Sequence, residues 1–173
     1  MRYESVLDSP ESATGGRSAV LDAIAVAGLV ALAAQVRAPL PWTPVPVTLQ
    51  TLPVLAVGFA VGWRRATAGM LLFLALGLLG AHVFAVPTGV TFSPTLGYIL
   101  GFVAAPVVVA RFRHPAAGIA AATALIWCLG AAWFVLHTDM SAIQVLALAV
   151  APFIPGDLLK AYAAYRIGLW VRR

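Results

Sequence analysis

Charge is what this chain has least of. Asp, Glu, Lys and Arg make up 10% of its 173 residues, while 62% are hydrophobic; ordinary soluble domains carry roughly 25% charged residues. A water-facing fold of this size would need far more charge to cover its surface, so a soluble globular domain is excluded. Cysteine is nearly absent too. The single Cys128 lies in the apolar run 125–130, which rules out a disulfide framework or a cysteine-based metal site and reads as a small buried hydrophobe. There is no G-x-x-x-x-G-K-[ST] phosphate loop, no H-E-x-x-H and no plausible Ser/His/Asp set, so ATP hydrolysis, zinc proteolysis and triad chemistry all lack their residues. The net charge of +5 does not indicate a nucleic-acid binder. The arginines punctuate apolar runs instead of gathering into a patch.

What is present is a series of apolar stretches of membrane-crossing length. Residues 1–17 are polar and of mixed sign, with Pro10, Gly15 and Gly16; they read as a short disordered tail and not as the basic start of a signal peptide. A helix crosses a bilayer core with roughly 20 apolar residues. The expected spans are 18–35, 47–62, 67–83, 95–110 and 116–136, then a last region over 141–171. Pro152 and Pro155-Gly156 divide that last region into a short outer piece and a main helix. Six spans put Arg64, Arg65, Arg111, Arg113, Arg172 and Arg173 on one side, as the excess of basic residues in cytoplasmic loops requires. The expectation is an all-α integral membrane protein: a compact bundle of six transmembrane helices over 18–173, both termini cytoplasmic, in a bacterial or archaeal-type plasma membrane.

The informative residues are the polar ones at membrane depth, because an ionisable side chain at the bilayer centre costs about 2.5–3.5 kcal/mol on insertion scales. Asp22 and Gln144 sit near span ends and read as headgroup-level groups. Asp157 and Lys160 are three apart on a helix that begins after Pro155-Gly156, so they share a face. Two readings stand: an internal salt bridge that only neutralises two buried charges, or a ligand-binding pair in a protein-lined cavity.

Two further patterns stand out. Pro41, Pro44 and Pro46 fall within six residues and fix an extended, stiff loop suited to an outer lid. Within it, Trp42 is either an interface anchor or a pocket wall, and Thr48 and Gln50 either cap helices or line a cavity. Ala19, Ala23, Ala27 and Ala31 recur every fourth residue, giving a flat stripe for close helix approach, to an internal or an external partner.

Three segments resemble one family. Gln35-Val-Arg-Ala-Pro-Leu-Pro-Trp-Thr-Pro-Val-Pro-Val-Thr-Leu-Gln-Thr51, Pro94-Thr-Leu-Gly-Tyr-Ile-Leu-Gly-Phe102 and Pro152-Phe-Ile-Pro-Gly-Asp-Leu-Leu-Lys-Ala161 are similar to the elements of the BioY family. Its members are the biotin-specific substrate-binding (S) components of energy-coupling-factor (ECF) transporters. The resemblance implies a six-helix bundle that captures biotin from outside and works with a transmembrane coupling subunit and two ATPase subunits. It implies no catalytic residue, no metal and no cofactor, with biotin as the transported ligand. It places Asp157 and Lys160 on the family's G-D-x-x-K motif, Thr95 and Tyr98 on its middle element, and Trp42, Thr48 and Gln50 on its first loop. Ala19, Ala23 and Ala27 match the stripe by which such components dock on the coupling subunit. Two departures stand: Leu96 replaces a glycine of the middle element, and the loop 86–93 is short and has no arginine, which turns attention to His82 or Thr91.

On this reading Asp157 accepts a ureido N–H, Lys160 contacts the ureido oxygen or balances the carboxylate, and Trp42, Phe84 and Tyr98 wall the ring system. The rivals are an S component for another vitamin such as thiamine or riboflavin, an intramembrane enzyme using Asp157 (alone or in a dyad with Asp139), and a channel or scaffold in which the Asp–Lys pair is structural.

Overall fold

The computed structural model describes residues 16–86 and 94–171, so Thr91, the tail 1–15 and the terminal arginines lie outside the described residues. The chain runs through α1 (Gly16–Gln35), a hairpin of β1 (Arg37–Leu40) and β2 (Thr43–Thr48), then α2 (Thr51–Val61) and α3 (Trp63–Leu78). It continues through α4 (Leu96–Arg111), α5 (Pro115–His137), α6 (Ala142–Ala149), a 3-10 turn at Ala151–Phe153 and α7 (Ile154–Val171). Three stretches are long and apolar enough to cross a membrane: Ser18–Gln35, Pro115–His137 and the broken unit Ala142–Val171. Leu21, Leu32, Leu136, Ile143, Leu159 and Trp170 project outward from them, an apolar exterior suited to lipid rather than water.

The expectation of helices alone fails at the proline-rich loop, which forms an antiparallel ladder pairing Arg37 with Thr48, Ala38 with Val47 and Leu40 with Thr43. The register shifts between Ala38 and Leu40, where Pro39 has no N–H to give. A two-stranded hairpin consists only of edge strands, so prolines are tolerated in both. The second helix therefore begins at Thr51, not at residue 47. The third begins at Trp63, so Arg64 and Arg65 belong to a first helical turn, and it ends at Leu78, well before residue 83. Gly62 has φ +82, a left-handed conformation that lets α2 turn into α3 within one residue. Gly16 and Arg17 are the start of α1 and not part of a tail.

Small residues set how closely the helices approach. A Cβ on Gly69 of α3 would lie 2.5 Å from Val26 Cβ and 2.9 Å from the Ala23 carbonyl of α1; one on Gly101 of α4 would lie 2.8 Å from Ile126 Cα of α5. Val30, Leu55, Met70, Phe73, Ile126 and Phe134 fill the space between. The alanine stripe borders this internal contact: Ala27 is buried, while Ala19, Ala23 and Ala31 are half-buried. Asp22 is not a free headgroup-level carboxylate, because it meets Arg65 at 2.6 Å. That pair brings the starts of α1 and α3 to one end of the bundle, where the ends of α2 and α7 also meet through Phe59 and Gly168. Cys128 is exposed, contrary to the buried reading; α5 is apolar on every side, so its pattern does not distinguish inside from outside.

Overpacking a tight helix contact typically costs about 1–3 kcal/mol. Gly69→Ala is expected to destabilise the protein by that amount, read as a lower unfolding midpoint in detergent, because Val26 and backbone leave no room. Gly28→Ala, where nothing lies within 4 Å, is expected to leave it unchanged or slightly raised.

Candidate ligand site

The end of the bundle opposite the Asp22–Arg65 pair holds the polar groups. Pro152 and Pro155 interrupt the last apolar region. The Phe153 N–H turns to the Val150 carbonyl at 3.0 Å, so the Ala149 carbonyl is released from the helical ladder and accepts a hydrogen bond from the Tyr98 hydroxyl. A new helix then starts at Ile154 and places Asp157 in its first turn, where the helix dipole favours a carboxylate.

Asp157 is 5% exposed, and every contact it makes is to a donor. Its Oδ1 accepts from the Thr51 hydroxyl at 2.9 Å and meets Lys160 Nζ at 2.5 Å. Its Oδ2 accepts from the Trp127 indole N–H at 2.7 Å. Lys160 Nζ also donates to the Thr48 carbonyl at 2.8 Å and to Thr51 Oγ1 at 2.9 Å. Four segments thus converge on one ion pair: the end of β2, the start of α2, the middle of α5 and the start of α7. The Thr48 carbonyl is available because the strand ends there, and the Thr51 hydroxyl because it opens a helix.

A cavity of about 50 Å³ adjoins the pair. Its polar wall is Thr48, Gln50, Thr51, Thr95, Tyr98, Asp157 and Lys160. Its apolar wall comes from the hairpin (Val45, Pro46), from Ala85, and from Ile99, Phe102, Ile126 and Phe153. An apolar chamber with a few placed polar groups is the usual form of a small-molecule site. Among the described residues no group of three or more His, Cys, Asp or Glu is placed to hold a metal.

The BioY family model matches residues 11–173. The chain belongs to the BioY family. It is 33% identical over 141 residues to the probable biotin transporter BioY of Bacillus subtilis, covering 70% of this chain and 72% of that one. It is 30% identical over 146 residues to the biotin transporter BioY of Thermotoga maritima, covering 78% and 85%. A crystal structure of the S-component for biotin from an ECF-type ABC transporter superposes with a TM-score of 0.75 over 91% of this chain and 90% of that one, at 21% identity, a likeness of fold.

Within this BioY family member, six of the eight residues expected to hold ligand line one cavity: Asp157, Lys160, Tyr98, Thr95, Thr48 and Gln50. Two do not. Trp42 is 58% exposed at the hairpin turn, because the ladder closes with the Leu40–Thr43 pair and pushes Pro41 and Trp42 between them to the tip. Phe84 is buried against α3, where its ring meets Phe73 edge-on with centroids 5.3 Å apart and covers Gly77; its neighbour Ala85 reaches the cavity instead. His82 is exposed and does not line it. Asp139 is exposed beyond α5, so it forms no dyad with the buried Asp157. Thr51 and Trp127 were missed. Thr51 sits inside the first recognised segment, and Trp127 carried a usable signal: a tryptophan inside an apolar helix brings an N–H that needs an acceptor.

Removing one partner of a buried ion pair typically costs about 3–5 kcal/mol. Asp157→Ala is expected to destabilise the protein by that amount, with Lys160 left uncompensated. Adding Lys160→Met to Asp157→Ala is expected to recover most of the loss. Unfolding midpoints of the two variants check this.

Proposed function

We propose that this chain is the biotin-binding S component of a vitamin uptake system and holds biotin in the cavity beside Asp157 and Lys160. The observation that carries this reading is the ion pair itself: a carboxylate and an ammonium enclosed by an apolar bundle and lining a cavity, in a chain of the BioY family. The relatives named above are a probable biotin transporter and a biotin transporter; the chain is a transport component and not an enzyme, and it is a multi-pass membrane protein.

The topology we infer has six crossings with both termini on the cytoplasmic side. Two geometric facts support it. The Asp22–Arg65 pair and the Phe59–Gly168 contact gather Arg64, Arg65 and the end of α7 at one end; the hairpin, α6 and the cavity occupy the other. Basic residues mark the cytoplasmic face, which leaves the cavity facing outward, where a captured vitamin would arrive. The likeness in fold to an S-component of an ECF-type ABC transporter supports a partnership with a coupling subunit and ATPases. We propose that the coupling subunit docks along the outer flank of α1, which exposes Val20, Leu21 and Ile24 beside half-buried Ala19 and Ala23. Buried Ala27 belongs to the internal packing.

Within the site, Asp157 accepts a ureido N–H in a charge-assisted hydrogen bond, while Tyr98, Phe102 and Phe153 flank the ring system. A bond of that kind contributes roughly 1.5–3 kcal/mol. The purified protein is expected to bind biotin and to ignore thiamine and riboflavin in a titration panel. Asp157→Asn is expected to weaken biotin at least about tenfold, the equivalent of ~1.4 kcal/mol. Trp127→Phe, which leaves the ion pair in place, is expected to weaken it by a smaller factor. A preference for another vitamin, or unchanged affinity in Asp157→Asn, would remove the assignment.

A further inference from the structure

The polar hydrogens around the cavity are almost all committed to the protein. Lys160 spends its donors on Asp157, the Thr48 carbonyl and Thr51 Oγ1. The Thr51 hydroxyl and the Trp127 indole N–H are held by Asp157, and the Tyr98 hydroxyl by the Ala149 carbonyl. Gln50 is different. It lines the cavity and is 5% exposed, yet its Nε2 has no hydrogen-bond partner. Thr67 Oγ1 is the other such side-chain atom among the described residues, and Thr67 does not line the cavity.

The orientation of the Gln50 amide follows from its neighbour. The Gln50 backbone N–H donates to Thr48 Oγ1 at 3.4 Å, and the Thr48 hydroxyl gives its own hydrogen to Gln50 Oε1 at 3.1 Å. The amide oxygen is thereby held at Thr48 and the amide nitrogen is left for the cavity. Buried amide donors nearly always find an acceptor, and a side chain held at one end with an unmet donor at the other is shaped to receive one. A carboxylate has about four lone-pair directions, and Asp157 uses three of them. One acceptor direction and one amide donor therefore remain for a ligand.

We propose that Gln50 is a specificity-determining residue whose Nε2 donates to the carbonyl oxygen of a neutral amide- or urea-type group, while Lys160 positions Asp157 and does not touch the ligand. This rests on the biotin-binding reading, in which the oxygen is that of the ring urea. It assigns that oxygen to an uncharged donor and not to the ammonium, because the ammonium is fully occupied.

The test is a titration of the purified protein in detergent with biotin and with 2-iminobiotin, in which a nitrogen-bearing donor replaces the urea oxygen. Gln50→Met removes the donor at similar volume. It is expected to weaken biotin by about tenfold, the upper range for one hydrogen bond, and to leave the already weak 2-iminobiotin nearly unchanged, so that the ratio between the two ligands falls. Gln50→Glu puts an acceptor where the donor was and is expected to shift the preference further toward 2-iminobiotin. An unchanged ratio in both variants, or an equal loss of both ligands, means a structural role for Gln50 and overturns the proposal. If the unaltered protein does not bind biotin at all, the functional reading falls and this inference falls with it; biotin binding with an unchanged ratio removes the inference alone.

Discussion

A carboxylate and an ammonium 2.5 Å apart, with side chains 7% and 12% exposed, organise the hairpin end of this bundle. Either charge alone would be costly at this depth. Together they still need their remaining lone pairs and hydrogens met, because attraction between two buried charges seldom offsets the loss of their hydration without further hydrogen bonds. Those bonds come from four different segments. The hydroxyl of Thr51 is shared between both charges, the Thr48 carbonyl takes one ammonium hydrogen, and the Trp127 indole supplies the far carboxylate oxygen. Satisfying the pair therefore locks β2, α2, α5 and α7 in one relative placement. In a bundle whose exterior is largely apolar, where burial against lipid provides little drive for one arrangement over another, such a polar knot supplies specificity that hydrophobic packing cannot.

The hairpin has a place in the same logic. Its prolines reduce the conformations open to the connection between α1 and α2 and withhold ladder donors. Thr48, at the last position of β2, keeps its carbonyl for Lys160. The extended backbone foreseen from the prolines was thus the right local conformation, but it works as a strand that delivers a carbonyl to the site as much as a wall above it.

What could be read in advance divides along physical lines. The ion pair was legible because two ionisable residues three apart after a proline-glycine break have few other uses inside an apolar run. Thr95, Tyr98, Thr48 and Gln50 were legible through their motifs. The hairpin was not, because proline signals an extended chain without saying whether it pairs. Trp42 lies in the same first-loop motif and Phe84 is a chemically suitable wall, but backbone geometry overrides both: a turn carries one to the surface, and a glycine opposite draws the other into α3. Trp127 and Cys128 are adjacent in a helix apolar all round, yet one bonds to the buried carboxylate and the other faces out. No hydrophobic periodicity separates them, so only the requirement of an indole N–H for an acceptor could have pointed inward.

The neutrality of the knot bears on what it can recognise. Asp157 and Lys160 cancel, so the cavity offers a ligand no net charge from this pair. With the ammonium's hydrogens committed, an anionic group placed beside Asp157 would meet repulsion without a free cationic donor to offset it. A cationic group would have to compete with an ammonium that already sits at 2.5 Å and is tied to three partners. A neutral group with both an N–H and a carbonyl oxygen suffers neither penalty: it needs one carboxylate lone pair and one uncharged donor. Because the pair is held by protein contacts, those directions are fixed before a ligand arrives, and little ordering remains to be done on binding. On the proposed reading, the same set of hydrogen bonds that makes two buried charges tolerable thereby narrows the ligand to a neutral, amide-like edge.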